Sequence, residues 1–383
     1  MTFLFWTAAA ALFYSLVGYG LILLAVARLV PDRARRSDAP RPSKVSVLIA
    51  AFNEAPVIAE KLRNTLSLER SGMDIEVIVA DDGSTDGTAK VARAAAAADP
   101  SVTVLDLGRV GKAGALAEGL KRCTGDVVVF SDANAMLAPG TLIAMLTHYR
   151  DPRIGGVCGQ ITVDTAKAGG IGTSESLFWR YDQTLKMAEA CVGGTVSAQG
   201  SVYSVRRSLA RAPRPGCTDD FDISVAVVHA GRRLTFEPAA TTTEATTESM
   251  GNEMRRRLRS SERGWRSLMM NASLMNPFRH GVYAWQLVSH KLMRRLNPLF
   301  LVVLFVSNVT LIDDGWFYAM TGIGQITFYA LALAGIWSPR LRRNKIVALA
   351  SFFTFTHVAL GWGILNAIRG KRSTVWTPAR EAS

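Results

Sequence analysis

Four short clusters of oxygen-bearing side chains could do chemistry: Asn53-Glu54, Asp81-Asp82-Gly83-Ser84, Asp132-Ala133-Asn134, and Thr218-Asp219-Asp220 with Asp222 close behind. Three of them follow apolar runs, as Val77, Ile78, Val79 and Ala80 precede Asp81. A β-branched run that ends in acids and glycine reads as a buried strand stopping at a polar loop. Open α/β sheets bind ligands beyond the carboxyl ends of such strands. Each cluster taken alone also reads as a turn or a helix cap, but their recurrence in one region favours a site. Asp132 and, two positions on, Asn134 offer hard oxygen ligands. Mg2+ or Mn2+ takes such ligands with help from substrate phosphates, and such a metal would offset the charge leaving on a nucleoside diphosphate. Asp81 or Asp82 suits hydrogen bonds to a base or ribose, and Asp220 suits a general base for an acceptor hydroxyl. The arginines of residues 255–266 can clamp a pyrophosphate with their guanidinium forks. They equally suit an amphipathic helix on a membrane surface.

The elements that must hold these clusters alternate. Residues 44–50 read as a first strand, 55–70 as a helix with apolar Val57, Ile58, Leu62, Leu66 and Leu68, and 75–80 as a second strand. An alanine-rich helix follows to about residue 98, with Thr85, Asp86 and Thr88 as capping candidates. Strand 102–107, a helix from Gly111 that Gly125 ends, and strand 126–130 complete the run, and residues 223–230 look helical. The alternation predicts an α/β fold with a mostly parallel sheet covered by helices.

The ends differ from the middle. Of the 383 residues 49% are hydrophobic, and the apolar excess is terminal. Residues 3–30 form one apolar run long enough to span a bilayer, without a basic start or a clear cleavage site, which favours a retained anchor over a signal peptide. Residues 296–312, 315–337 and 346–367 are three further candidates, the first of them shortest. The domain boundaries expected are therefore 1–30 (membrane helix), 40–250 (α/β domain), 251–295 (basic interface helices), 296–368 (membrane helices) and 369–383 (tail). A net charge of +13 raises nucleic acid as a partner, but the basic residues cluster beside the apolar stretches and lack interleaved aromatics, so no nucleic acid is expected. Their placement fits the positive-inside rule and anionic membrane lipids. Arg33, Arg35 and Arg36 put the α/β domain in the cytoplasm of a multi-pass inner or plasma membrane protein. The basic loop 338–345 agrees, whereas a complete crossing by 346–367 would place Arg369, Lys371 and Arg372 outside. Either the rule fails there or that stretch does not fully cross. Cys123, Cys158, Cys191 and Cys217 show no paired-ligand spacing and are expected to be reduced thiols.

The ordered set resembles the membrane-embedded, inverting family 2 glycosyltransferases of GT-A fold, the group that includes synthases of cellulose, chitin oligosaccharides, hyaluronan and poly-N-acetylglucosamine. The resemblance rests on Asn53-Glu54, Asp81 to Ser84, Gly111-Lys112-Ala113, Ser131 to Asn134, Gly200 to Arg207, Thr218 to Asp220, Arg259 through Arg263-Gly264-Trp265, and the tail Arg369 to Lys371 and Trp376 to Pro378. It implies that Asn53, Glu54, Asp81 and Asp82 form the nucleotide site, with Lys112 near the uracil or phosphates. Asp132, with Asn134, would hold the metal and diphosphate, Asp220 would deprotonate the acceptor, and Arg259 or Arg263, with Trp265, would meet the leaving diphosphate. The implied reaction is hexosyl or N-acetylhexosaminyl transfer from a UDP-sugar to a glycan acceptor, building an exopolysaccharide or oligosaccharide, with partner subunits for export. A lipid acceptor, making a glycolipid, would use the same residues. A non-catalytic nucleotide-sensing subunit is the reading from another class, and Asp220 with the metal station argues against it. A nicotinamide-type dinucleotide site is excluded because no Gly-x-Gly-x-x-Gly follows the first strand. The chain departs from the family pattern at Asn134, where many members carry Asp, and at Ala117, where they carry Asn. Processive members carry Gln-x-x-Arg-Trp; here Ser260 stands in the Gln position and Gly264 separates Arg263 from Trp265, which argues against long-chain synthesis and leaves the transfer intact.

Overall fold

A computed structural model describes residues 1–30, 40–97, 99–163, 170–244 and 250–371; the basic residues 33–36 and the tail motif 376–378 lie outside them. Helix α1 (Thr2–Leu29) winds as a π-helix over Tyr14–Gly18. Then β1 (Lys44–Ala51), α2 (Ala55–Leu66), β2 (Asp74–Asp81), α3 (Thr88–Ala96), β3 (Val102–Asp106), α4 (Gly111–Leu120) and β4 (Val127–Asp132) alternate as the pattern predicts. The chain continues through β5 (Met136–Leu137), α5 (Thr141–Thr147), β6 (Ile154–Val163), α6 (Gly170–Val192), β7 (Val202–Arg206), α7 (Asp219–His229) and β8 (Arg233–Glu244). It ends in α8 (Met250–Met270), α9 (Pro277–Thr310), α10 (Trp316–Trp337) and α11 (Lys345–Ile368). These elements form two compact units. One holds residues 30–164 and 186–248; the other holds 1–29, 165–185 and 249–372.

The first unit is built on an eight-stranded sheet in the order β3-β2-β1-β4-β7-β6-β8-β5. β1 pairs in parallel with β2 and with β4, and β2 with β3. Strands covered on both faces read as continuous apolar runs, which is why 45–50 and 77–80 were legible. Successive side chains alternate between faces. Val45, Val47 and Ile49 pack with Ile58, Leu62, Leu142 and Met145 on one side; Leu48 and Ala50 pack with Ala115, Leu116, Ile223 and Val227 on the other. Beyond β4 the sheet is mixed: β7 runs antiparallel to β4 and β6, and β5 to β8, while β6 and β8 pair in parallel, so the sheet is mostly parallel as expected. The first helix ends at Leu66 rather than 70, because the Glu69 amide leaves it to donate to the Pro139 carbonyl (3.0 Å).

Glu76, near the start of β2, ties three segments together. Its carboxylate accepts from Ser46 Oγ (2.5 Å), Thr124 Oγ1 (2.7 Å) and the amides of Thr124 and Gly125 (2.5 and 3.1 Å). Burial pushes its pKa up, but these donors win and hold it at about 2, below the ordinary 4.5. A depressed folded-state pKa contributes stability that is full above about 4.5 and is lost as pH falls toward about 2. Wild type should therefore unfold at a higher temperature than Glu76→Gln at pH 6, with the gap shrinking below pH 4.5. A gap independent of pH would contradict this.

Among the described residues of the second unit, four helices are long and apolar enough to cross a membrane: α1, α9, α10 and α11. The first C-terminal apolar stretch, expected to be the shortest, lies within the longest of these helices, α9, of 34 residues. That helix breaks at Gly281 (φ 52) and carries a π-stretch at Val288–Met293. Polar contacts pin it to α1: Ser15 Oγ donates to Asn297 Oδ1 (2.6 Å), and Tyr14 OH meets Ser289 Oγ (2.7 Å). Tyr181 of α6 donates to the Leu16 carbonyl (3.0 Å), and Asp182 faces His290 (3.1 Å) and Arg294 (3.6 Å).

Candidate active site

The loops after β1 and β2 are locked together by their own side chains. Asn53 sits at φ +52, a region that asparagine tolerates better than most residues. Its amide donates to Ser84 Oγ (2.9 Å), and its Oδ1 accepts from the Thr85 amide (2.9 Å). Asp81 is fully buried and accepts from both Ser84 Oγ (2.5 Å) and Ser84 N (3.0 Å); burial nevertheless raises its pKa. The Glu54 amide donates to Thr88 Oγ1 (2.8 Å), and Asp86 accepts from the Ala55 and Thr88 amides (3.0 Å each). Gly87, not a hydroxyl, caps α3.

Gly83 is required here on two grounds. Its φ is +68, and a Cβ would lie 3.0 Å from the Arg109 amide nitrogen and 3.2 Å from the Leu107 carbonyl oxygen. Both are backbone atoms and cannot swing aside. Gly83→Ala is expected to cost about 1–3 kcal/mol, read as a lower unfolding midpoint; an unchanged midpoint would contradict the close approach.

Asp82 serves its own loop. A fully buried carboxylate has to be paired, and its Oδ1 accepts from the amides of Val110 (2.8 Å) and Gly111 (2.7 Å) while Arg109 ion-pairs with Oδ2. The Arg109 guanidinium lies 3.3 Å above the Phe52 ring. Asp82 thereby sets the start of α4 and the position of Lys112. Sequence patterns gave no sign of Arg109, which precedes the Gly111-Lys112-Ala113 motif by two residues.

Lys112 gathers the acids. Its Nζ donates to Asp132 Oδ1 (2.8 Å) at the end of β4 and lies 3.0 Å from Asp219 Oδ2 at the start of α7. Burial works to lower its pKa, but the two carboxylates hold it well above the usual lysine range. Asp219, Asp220 and Asp222 occupy the first turn of α7, where the helix dipole favours negative charge. The three differ in partner. Asp219 takes Lys112, Asp222 takes the Arg214 guanidinium and amide (2.8 Å to the amide), and half-buried Asp220 accepts the Phe221 amide at 2.8 Å.

Tyr203 of β7 lies under this cluster, stacked on Phe130 at 4.8 Å. Burial, then Asp219, Asp220 and Asp132, raise its pKa well above 10, so all three carboxylates send their field to one phenol. Its hydroxyl is buried without a hydrogen-bond partner among the described residues. Lys61, fully buried on α2, supports the Asp132 loop from behind by donating to Ser131 Oγ (2.7 Å) and the Ala135 carbonyl (2.5 Å).

A divalent ion fits this donor set in part. Asp132 and half-buried Asn134 would supply oxygens, beside the Tyr203 hydroxyl, which is buried without a hydrogen-bond partner among the described residues. Among the described residues no three acidic, histidine or cysteine side chains form a cage, so an ion here would draw its remaining ligands from phosphate. Arg259, Arg263 and Trp265 belong to the other unit, on α8. Partial burial, then Arg263 and Arg256, lower the Arg259 pKa.

Residues 46–210 match the family model described as glycosyl transferase family 2. An N-acetylglucosaminyltransferase of Rhizobium leguminosarum bv. viciae is 26% identical over 60% of this chain and 58% of its own length. A beta-monoglucosyldiacylglycerol synthase of a Nostoc species is 29% identical over 47% of this chain and 40% of its own. A poly-beta-1,6-N-acetyl-D-glucosamine synthase of Staphylococcus aureus is 24% identical over 59% and 55%. The chain thus spans less than two thirds of the length of these relatives. Among solved structures, the mannosyltransferase PcManGT from Pyrobaculum calidifontis, in complex with GDP-Man and Mn2+, is 21% identical and covers 96% of this chain and 100% of its own, with a TM-score of 0.69. At that identity the likeness shows the fold, a mixed α/β sheet of the GT-A kind flanked by long helices.

Proposed function

We propose that the chain, whose residues 46–210 match the glycosyl transferase family 2 model, transfers a sugar from a UDP-sugar to a glycan acceptor with inversion, building an oligosaccharide or exopolysaccharide at a cell membrane. The observation that carries this reading is the meeting of Lys112 with Asp132 and Asp219, one residue from Asp220. Asp220 takes the proton from the acceptor hydroxyl, whose oxygen bonds to the anomeric carbon as the bond to the diphosphate oxygen breaks. The single displacement inverts that carbon. Asn53, Glu54, Asp81 and Asp82 form the rim for the nucleoside, the first two directly and the acids largely by fixing the loops. Lys112 balances phosphate charge, and Asp132 with Asn134 would hold Mg2+ or Mn2+, which when bound offsets charge on the leaving diphosphate. Arg259 or Arg263, with Trp265, is assigned to the leaving diphosphate on the family resemblance alone. The catalytic unit is placed in the cytoplasm, with export subunits as partners.

A lipid acceptor is the second reading, supported by the long apolar helices and by the 29% identity to a glycolipid synthase. Membranes holding the chain, offered a panel of radiolabelled UDP-sugars, separate the two. Label in water-soluble oligomers supports a glycan acceptor, one sugar per extracted lipid supports the second, and no incorporation from any donor contradicts both.

A further inference from the structure

We infer that α11 does not cross the bilayer: it lies along the membrane surface with α8, so the chain crosses with only three of its four candidate spans and residues after 368 stay on the side of α8. Helices α9 and α10 form an antiparallel hairpin, with Asn308 bonded to Thr321 (3.1 Å) and the rings of Phe305 and Tyr329 at 5.8 Å. Position along this hairpin measures depth from its connecting turn at 311–315. Helix α11 touches α10 where Ser351 Oγ donates to the Ala332 carbonyl (3.1 Å), with the Phe353 and Phe328 rings alongside at 5.6 Å. It touches α9 at Gly361, where a Cβ would lie 3.1 Å from Pro298. At about 1.5 Å per residue, Ala332 lies about 24 Å along α10 from Trp316, and Pro298 lies about 18 Å back along α9 from Thr310. Between Ser351 and Gly361 the helix advances about 15 Å and passes from α10 to α9, meeting α9 about 15 Å short of Asn308. A spanning helix would carry Gly361 to the level of Asn308 and Thr321. Helix α11 instead crosses the hairpin obliquely, near its open end.

Its second half is covered by a helix that cannot enter hydrocarbon. A Cβ on Gly363 would stand 2.6 Å from Ser261 Cβ and 2.8 Å from the Leu258 carbonyl oxygen, so α8 and α11 touch backbone to backbone. Arg266 donates to the Lys371 carbonyl (2.7 Å), and the Arg257 guanidinium lies 5.0 Å from the Phe352 ring. Arg255, Arg256, Arg257, Arg259, Arg263 and Arg266 make α8 too costly to bury at the bilayer centre. The last turns of α11 are held at whatever level α8 occupies, which is the interface. Val358, Trp362 and Leu365, spaced on one face, are 55%, 54% and 44% exposed and would meet the acyl boundary, with tryptophan at its preferred depth. The charges agree: Arg340, Arg342 and Arg343 before α11 and Arg369 and Lys371 after it then share one side, as the positive-inside rule requires.

The test uses the full chain in sealed vesicles of known sidedness, with a membrane-impermeant maleimide. Single cysteines are placed by Lys371→Cys, Arg342→Cys or Asp313→Cys, with Cys191, exposed in the catalytic unit, as the reference. Lys371→Cys and Arg342→Cys are expected to react from the same side as Cys191, and Asp313→Cys from the other. Reaction of Lys371→Cys together with Asp313→Cys overturns the inference. An epitope appended to the otherwise wild-type chain and challenged with protease gives the same reading if a cysteine variant does not accumulate. Neither arm depends on the donor or on transfer activity.

Discussion

Asp220→Asn should abolish transfer, by about 10²–10⁴-fold, while nucleotide binding is unchanged. The substitution keeps shape and the oxygen that accepts the Phe221 amide, so α7 should start where it does now. What it removes is the capacity to take a proton. Neither neighbouring acid can replace it: Asp219 is held by Lys112 and Asp222 by Arg214. Nucleotide affinity measured by calorimetry alongside transfer rate separates a lost base from a lost site. Turnover within a few-fold of wild type would remove Asp220 from the mechanism. Loss of nucleotide binding together with transfer would make it part of the donor site instead.

Asp132→Asn should show the complementary pattern. It removes a carboxylate that ion-pairs with Lys112 and that we assign to the metal. Of the two carboxylates that ion-pair with it, Lys112 then keeps Asp219, and the hard oxygen donor set is weakened. Transfer is expected to fall by on the order of 10²–10³, as when one group that stabilises developing charge is deleted, and Mn2+ titrated onto the protein should bind more weakly. Unchanged Mn2+ binding with impaired transfer would assign Asp132 to Lys112 alone. Unchanged transfer would contradict its place in the site.

The parts of this arrangement that were legible in the sequence are those set by local pattern. Strands β1, β2 and β4 are buried on both faces, so their runs are mostly apolar, and the acids at their ends interrupt those runs sharply. The half of the sheet from β6 to β8 was not legible. Gly155, Gly156 and Gly159 dilute the β-branched signal in β6, and its neighbours pair across long sequence separations. Asp82 was expected to face a ligand, but its buried oxygens are taken by Arg109 and two amides, partners that only the fold of the 107–111 loop brings in. Lys61 was unreadable for a related reason. It lies on the apolar face of α2, and nothing local says that Ser131 and the Ala135 carbonyl will be there to receive it. Asp219 stood in plain view beside Asp220, and only the position of Lys112 separates their roles.

The most direct measurement is the anomeric configuration of the new glycosidic bond, determined by NMR on product made from an α-configured UDP-sugar. A single displacement at the anomeric carbon, with Asp220 as the base, predicts a β-linked product. An α-linked product would mean retention and would contradict the account.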